Sequence, residues 1–482
     1  MPARWGKWTA AEILDAVAGT WVSGSLSTVF TGISTDSRHI QSGEMFWALK
    51  GPRYDGHDFV LTALERGAPG VVVDRAWWAS TGCTCLGSTP GERAVITVDD
   101  TLEALGDFAW WWRHQHTAKV VAITGSSGKT TTKEMAAAIC AQRHHTLKNE
   151  GNFNNLIGLP LTLLRLRDDH EIAVLEMGMN QPGEIGRLTR IAGPDTGVIL
   201  NIGIAHLEGV LDIEGVARAK CEMVENMEAS GLMILNGDDD RLMTHAGPYP
   251  VRKMTFGMGP ENQVRAEDVR DLGLKGIQFI LAHGHGSWPA RIRIPGLYNL
   301  YNALAAAAIG FNLGEAAETI LQGLESYPGM NGRFRVYSLW GGITVIDDTY
   351  NANPSSLKAV LGSVKSLAQG QGCRLIVGLG EMRELGDAAV SSHQEAGGQV
   401  AAAGADRFFA LGPHGREMIQ GAIQGGMPRN KAKRVAGHDE MVDEISHAVT
   451  GGGLVLLKGS RKMALEKVVN GLERIFGPGK MD

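Results

Sequence analysis

No run of about 18 apolar residues, the length a membrane-spanning helix requires, occurs anywhere in the chain. Residues 1–8 also lack the apolar core of a secretory signal. A cytoplasmic protein with no integral membrane association is therefore expected. Cysteine is scarce: Cys83, Cys85, Cys140, Cys221 and Cys373 form an odd, scattered set among 482 residues, which argues for reduced thiols and against a disulfide framework. Cys83 and Cys85 have no second pair at metal-ligand spacing and read as structural. Basic excess is missing too. A net charge of -6 with 20% charged residues lacks the cationic footprint of a nucleic-acid binder, which excludes DNA and RNA as expected partners. Repeats of solenoid period and low-complexity segments are absent.

What the chain has is core and glycine. With 44% hydrophobic residues over 482 positions, the length suggests roughly three domains, each able to bury its own core. Residues 1–102 mix short strands and helices around turn-rich segments and read as a small α/β module. In 103–328, strands at 120–124, 172–176, 198–201 and 232–236 alternate with helices, which implies a mainly parallel, doubly wound sheet. A more β-like insertion at 253–294 precedes a helix at 299–308. The cluster Pro328-Gly329-Met330-Asn331-Gly332 reads as a linker. In 329–482 the pattern restarts, with strands at 343–347, 375–379, 407–411 and 454–457, as in a second, Rossmann-like domain. The fold class is α/β with three domains. Trp110, Trp111 and Trp112 read as packing on a helix, and His283-Gly284-His285 as a loop.

The segment with most chemical content is Val120-Val121-Ala122-Ile123-Thr124-Gly125-Ser126-Ser127-Gly128-Lys129-Thr130-Thr131-Thr132. Glycine is 64 of 482 residues against a typical ~7%, so a lone Gly-x-x-Gly would carry little weight. Here a β-branched run precedes the loop and a strong helix former follows it, the order a phosphate cradle needs and a mere structural turn does not. Backbone N–H groups of such a loop converge on phosphate oxygens, Lys129 neutralises the outer phosphates, and the Thr130 hydroxyl ligates Mg²⁺. The first glycine of the general phosphate-loop pattern would fall at Ile123. The shorter G-x-x-G-K-T-T form is narrower in meaning.

Other segments accompany it. Val174-Leu175-Glu176-Met177-Gly178 puts a carboxylate at a strand end, where α/β sheets present ligands, which makes Glu176 a candidate Mg²⁺ ligand. His206 follows another strand, and Lys220 ends Gly215-Val216-Ala217-Arg218-Ala219-Lys220. Asn299 and Asn302 share a helical face, where amides offer both donors and acceptors. Gly332-Arg333-Phe334 precedes Asp347-Asp348-Thr349-Tyr350-Asn351-Ala352-Asn353-Pro354. Further segments are Thr35-Asp36-Ser37-Arg38, Gly151-Asn152-Phe153-Asn154-Asn155, Gly380-Glu381-Met382-Arg383-Glu384-Leu385-Gly386 and Lys458-Gly459-Ser460-Arg461.

In this order the segments resemble the ATP-dependent Mur ligases, which build the peptide precursor of the bacterial cell wall, over essentially the whole chain. Residues 347–354 and 151–155 are similar to the branch that adds D-alanyl-D-alanine, and the Asp-Asn-Pro-Arg motif of the branch that adds a diamino acid is not found. The resemblance implies a monomeric acid–D-amino-acid ligase that joins D-alanyl-D-alanine to UDP-N-acetylmuramoyl-tripeptide through an acyl phosphate. It implies ATP contacts from Gly125, Ser126, Ser127, Gly128, Lys129, Thr130, Thr131, Asn299, Asn302, Arg333 and Asp347. One or two Mg²⁺ ions would be held by Thr130, Glu176, His206 and Lys220. Lys129, Glu176, His206 and Lys220 are the implied catalytic residues, with Lys220 as a carbamate, since an ammonium would repel the metal. By the same resemblance Thr35, Ser37 and Arg53 meet the uridine diphosphate end of the substrate. Asn152, Asn154 and Asn155 bind substrate, Tyr350, Asn351 and Asn353 face the reaction centre, and Glu381, Lys458 and Arg461 meet the incoming dipeptide. Glu381 departs from the commoner Asp by one methylene. Closure of the C-terminal domain about a hinge at 328–332 is expected to exclude water. The alternatives are a sister ligase adding a diamino acid, a folylpolyglutamate-type synthase, and a non-catalytic nucleotide-binding homologue.

Overall fold

A computed structural model describes residues 6–82, 93–204, 207–210, 212–284 and 286–479. Cys83, Cys85, His206 and His285 lie outside the described residues. Three larger sheets organise the rest. The N-terminal sheet runs Thr20–Ser23, Ala94–Val98, Gly70–Asp74, Glu44–Trp47, Gly32–Ser34, parallel except at its first strand. The central sheet places Lys119–Thr124 between Thr196–Ile199 and Ile172–Glu176, with parallel pairing on both sides. In the C-terminal sheet Gly453–Lys458 lies between Ile343–Asp348 and Leu375–Gly380, again in parallel.

Pleating turns successive side chains to opposite faces, and both faces of the central sheet are covered. Val120 and Ala122 enter one core while Val121 and Ile123 enter the other. The second core is closed by the Lys129–Cys140, Leu297–Asn312 and Ala317–Ser326 helices, through Met135, Leu304 and Ile320. The first core does not stop at the central sheet. Trp8, Phe30 and Trp47 of the N-terminal module join Phe108 and the central Leu163 and Leu188 in one continuous cluster, so the two units share buried apolar surface. The Thr101–His114 helix is the shared wall. Trp112 packs edge-on to Trp8 at 5.3 Å and its indole N–H donates to the Leu166 carbonyl, as packing requires, and Trp111 stacks on Phe108. Trp110, by contrast, is exposed.

One element boundary differs from expectation. The strand expected at 198–201 is Thr196–Ile199, because Asn201 leaves the ladder and turns to the phosphate loop. The insertion is no separate unit. Arg252–Gly257 continues the central sheet in parallel beside Leu232–Asn236, and antiparallel Ile277–His283 and Gly286–Ile292 extend the edge.

Candidate functional site

The loop after Lys119–Thr124 is held from both sides. Ser126 N–H donates to the Asn201 carbonyl and Ser127 N–H to Asn201 Oδ1, at 3.1 and 3.0 Å. Ser126 Oγ accepts from Gly203 N–H and donates to its carbonyl. These bonds leave the N–H groups of the first turn of the Lys129–Cys140 helix, which have no intrahelical partner, for an anion. Gly128 caps that helix at φ 85°, and a Cβ there would lie 2.2 Å from Asn302 Oδ1. Only glycine fits both the left-handed backbone and that approach. Asn302 in turn is held by Asn299, its Nδ2 donating to Asn299 Oδ1 at 3.1 Å, and Thr132 Oγ1 donates to Asn302 Oδ1. The asparagine pair thus buttresses the loop from the Leu297–Asn312 helix.

Lys129 folds back so that Nζ donates to the Gly125 carbonyl at 2.7 Å. Burial lowers its pKa, Glu176 and Glu384 oppose that effect, and Arg333 adds to it. Glu176, at the end of its strand, is 3% exposed. Its Oε1 accepts from Asn154 Nδ2 at 2.8 Å, while Oε2 is buried with no hydrogen-bond partner among the described residues. Asn149 fixes its backbone on both sides, accepting from Glu176 N–H and donating to its carbonyl, each at 2.9 Å. A buried, orphaned carboxylate oxygen beside a phosphate loop fits a hard cation. Among the described residues no group of three or more His, Cys, Asp or Glu is placed to hold a metal.

Lys220, on the Ile213–Glu225 helix, is 1% exposed. Burial pushes its pKa well down, and the like charge of Lys129 pushes it the same way.

The C-terminal domain supplies the opposite wall. Arg333 donates to Thr130 Oγ1 at 3.1 Å and lies 4.1 Å over the Tyr350 ring. Asn353 reaches the Ser126 carbonyl at 3.4 Å. Between the walls is a cavity of about 760 Å³. It brings together Ser126 to Thr131, Asn152, Asn154, Asn155, Glu176, Asn299, Asn302, Arg333, Tyr350, Asn351, Asn353, Lys458 and Arg461. Lys458 enters with its ammonium 2.5 Å from Asp348 and 3.0 Å from the Asn351 carbonyl, and Arg461 is paired with Glu466.

Several expected residues stand elsewhere. Asp347 does not line the cavity; its carboxylate accepts from Gly332 N–H, Thr349 N–H and the Thr349 hydroxyl, while Asp348 lines it. Glu381 is also outside the lining, 3.9 Å from Arg383 and 4.0 Å from His414, whereas its neighbours Arg383 and Glu384 line the wall. Thr35, Ser37 and Arg53 belong to the N-terminal module, away from the cavity. Sequence reading missed Asp348, Arg383, Glu384, Glu208 and Tyr298. The first three lie inside segments already singled out, and their charge was the available signal. Glu208 carried the same signal two residues after His206, and Tyr298 had none.

A phosphate loop on one α/β domain, faced by basic and amide side chains from a second, defines an ATP-dependent enzyme class that works between two domains. Profiles described as Mur ligase family, catalytic domain; Mur ligase middle domain; and Mur ligase, glutamate ligase domain match residues 29–110, 123–310 and 332–461. The UDP-N-acetylmuramoyl-tripeptide--D-alanyl-D-alanine ligase of Bacillus subtilis is 36% identical over 97% of this chain and 98% of its own length. A MurF crystal structure from Acinetobacter baumannii superposes with a TM-score of 0.86 at 32% identity, covering 98% and 99% of the two chains. MurF from Thermotoga maritima, in complex with ADP, superposes at 0.79 with 26% identity, covering 92% and 97%. The chain belongs to the Mur ligase family.

Proposed function

We propose that this protein joins D-alanyl-D-alanine to UDP-N-acetylmuramoyl-tripeptide at the expense of ATP, giving the pentapeptide precursor of peptidoglycan, ADP and phosphate. The observation that carries the reading is the two-walled cavity, in which Lys129, Glu176 and Arg333 converge on the loop. Relatives similar over nearly the full length carry that activity in their names, and one structural neighbour holds ADP.

A carboxylate is a poor electrophile with a poor leaving group. In the proposed reaction a carboxylate oxygen of the tripeptide attacks the γ-phosphorus, and the bond from that phosphorus to the ADP oxygen breaks. The unprotonated amine then attacks the acyl carbon. Phosphate leaves with its bonding pair, and the nitrogen gives up a proton. The protein's task is alignment of two polyanions and exclusion of water. Lys129 and the helix N-terminus hold the outer phosphates, Arg333 approaches them from the other domain, and Asn154 keeps Glu176 aimed. Mg²⁺, held by Glu176, Thr130, His206 and a carbamylated Lys220, would supply further charge neutralisation. Thr35, Ser37 and Arg53 would hold the distant uridine diphosphate end, and Asp347 the ribose. The domain divisions 1–102, 103–328 and 329–482 follow this division of labour, in a cytoplasmic monomer.

The test is phosphate release from ATP with UDP-N-acetylmuramoyl-tripeptide while the amine is varied. Release should depend on D-alanyl-D-alanine and not on a diamino acid or glutamate. Turnover indifferent to the dipeptide, or nucleotide binding without turnover at saturation, refutes the assignment.

A further inference from the structure

His393, on the Ala389–Ala402 helix, is fully buried and lies outside the cavity. Its ring is bonded at both nitrogens. Nδ1 lies 2.6 Å from the Ala389 carbonyl, which fixes the proton on that nitrogen, and Nε2 then accepts from Met382 N–H at 2.9 Å. Only the neutral imidazole satisfies both bonds. Met382 sits in the corner after Leu375–Gly380, and the two residues that follow it, Arg383 and Glu384, line the cavity. That corner needs holding. Glu384 takes a left-handed φ of 64°, unusual for a side-chain-bearing residue. Its carbonyl accepts from Glu208 N–H of the central domain at 3.2 Å, and its charge acts on Lys129.

We propose that His393 is a positioning residue, whose neutral ring sets the Arg383–Glu384 corner against the phosphate loop and releases that corner on protonation. The proposal rests on the ligase reading above and adds a regulator to it. The charged groups around the ring are His414, stacked on it at 4.5 Å, with Glu381 and Glu417. Burial lowers the pKa of His393 first of all; the Ala389 hydrogen bond and the two carboxylates oppose this, and His414 adds to it. With the folded value depressed, the unfolded chain takes up the proton first as pH falls. The contribution is therefore present above the ordinary histidine range and lost in acid, through the folded value.

Two variants test this. His393→Leu removes the acceptor, and His393→Gln keeps an acceptor near the Nε2 position without titrating. Hydrogen exchange in the peptide spanning 381–385 should quicken about tenfold or more in His393→Leu and stay slow in His393→Gln, by loss or retention of a buried bond. Misplacing the corner should lower kcat/KM for D-alanyl-D-alanine about 10- to 100-fold in His393→Leu, with rescue in His393→Gln. Protonation of the amine lowers wild type and variant alike, so their ratio isolates the histidine. The ratio of His393→Gln to wild type should stay level above the ordinary histidine value of about 6.5 and rise as pH falls below it, down to the lowest pH at which both proteins stay folded. Unchanged exchange in His393→Leu, or a flat ratio, overturns the proposal. If wild-type turnover proves indifferent to the dipeptide, the ligase reading falls, and exchange alone still decides the role of His393.

Discussion

Lys220 poses the sharpest question at the scale of single residues. An ammonium 1% exposed, with Lys129 as a charged neighbour of the same sign, would carry a desolvation penalty of several kcal/mol. Burial and the neighbouring Lys129 charge both favour the neutral amine, and a neutral amine is the form that captures CO₂. Lys220→Met keeps the length and removes the nitrogen, so the fold should persist while turnover falls to background. Lys220→Arg buries a charge that cannot be shed and should lower the melting temperature as well. Label from isotopic bicarbonate should enter wild type and neither variant. Wild-type turnover in Lys220→Met, or equal labelling, would falsify the carbamate. Glu176 shows the complementary case, a buried carboxylate with one oxygen held by Asn154 and the other without a hydrogen-bond partner among the described residues, which a bound cation would satisfy.

At the scale of elements, the phosphate loop is shaped by what packs behind it. Asn201 occupies two of its N–H groups, and Asn302 leaves no room for a Cβ at Gly128. Gly128→Ala should therefore cost about 1–3 kcal/mol of stability, from left-handed strain together with displacement of Asn302, and should weaken nucleotide binding. Thermal unfolding and a nucleotide titration read the two effects; a variant with wild-type values in both refutes this account of the loop. Asn353 works on two elements at once. Its side chain accepts from Ser356 N–H in a capping box for the Pro354–Gln371 helix while donating to the Ser126 carbonyl, so the start of that helix is tied to the loop it faces.

For the whole molecule, the central and C-terminal domains meet at the site through the polar contacts Arg333 to Thr130, Asn353 to Ser126 and Glu208 to Glu384, with Tyr298 edge-on to Phe334 and both Tyr298 and Leu274 packed against the C-terminal core. The N-terminal module is different, joined to the central domain through a continuous apolar core. Motion is therefore expected between the central and C-terminal domains, about the turn at 328–332, where Gly329 and Gly332 both have positive φ. An ATP analogue with the tripeptide should reduce the radius of gyration in X-ray scattering. Arg333→Ala should diminish that change and lower kcat about 100- to 1,000-fold by removing a donor to developing charge. Superposable curves with and without ligands rule out the hinge.

Much of this protein was legible in the sequence, because strand period, glycine spacing and charge at strand ends are local properties. The phosphate loop, Glu176, the asparagine loop and the alternating strands of both large domains needed only neighbours within a few positions, and those neighbours are what pleating and helix geometry act on. Tertiary structure alone decided three things. It merged the N-terminal core with the central one, since burial depends on which surfaces meet. It extended the central sheet through the insertion, since the edge a strand pairs with is set by how the chain packs and not by its own pattern. And it turned Asp348, Arg383 and Glu384 into the cavity while Asp347 and Glu381 stayed outside its lining, because pleating sends successive side chains to opposite faces and Gly332 and Thr349 hold the Asp347 carboxylate on its own side.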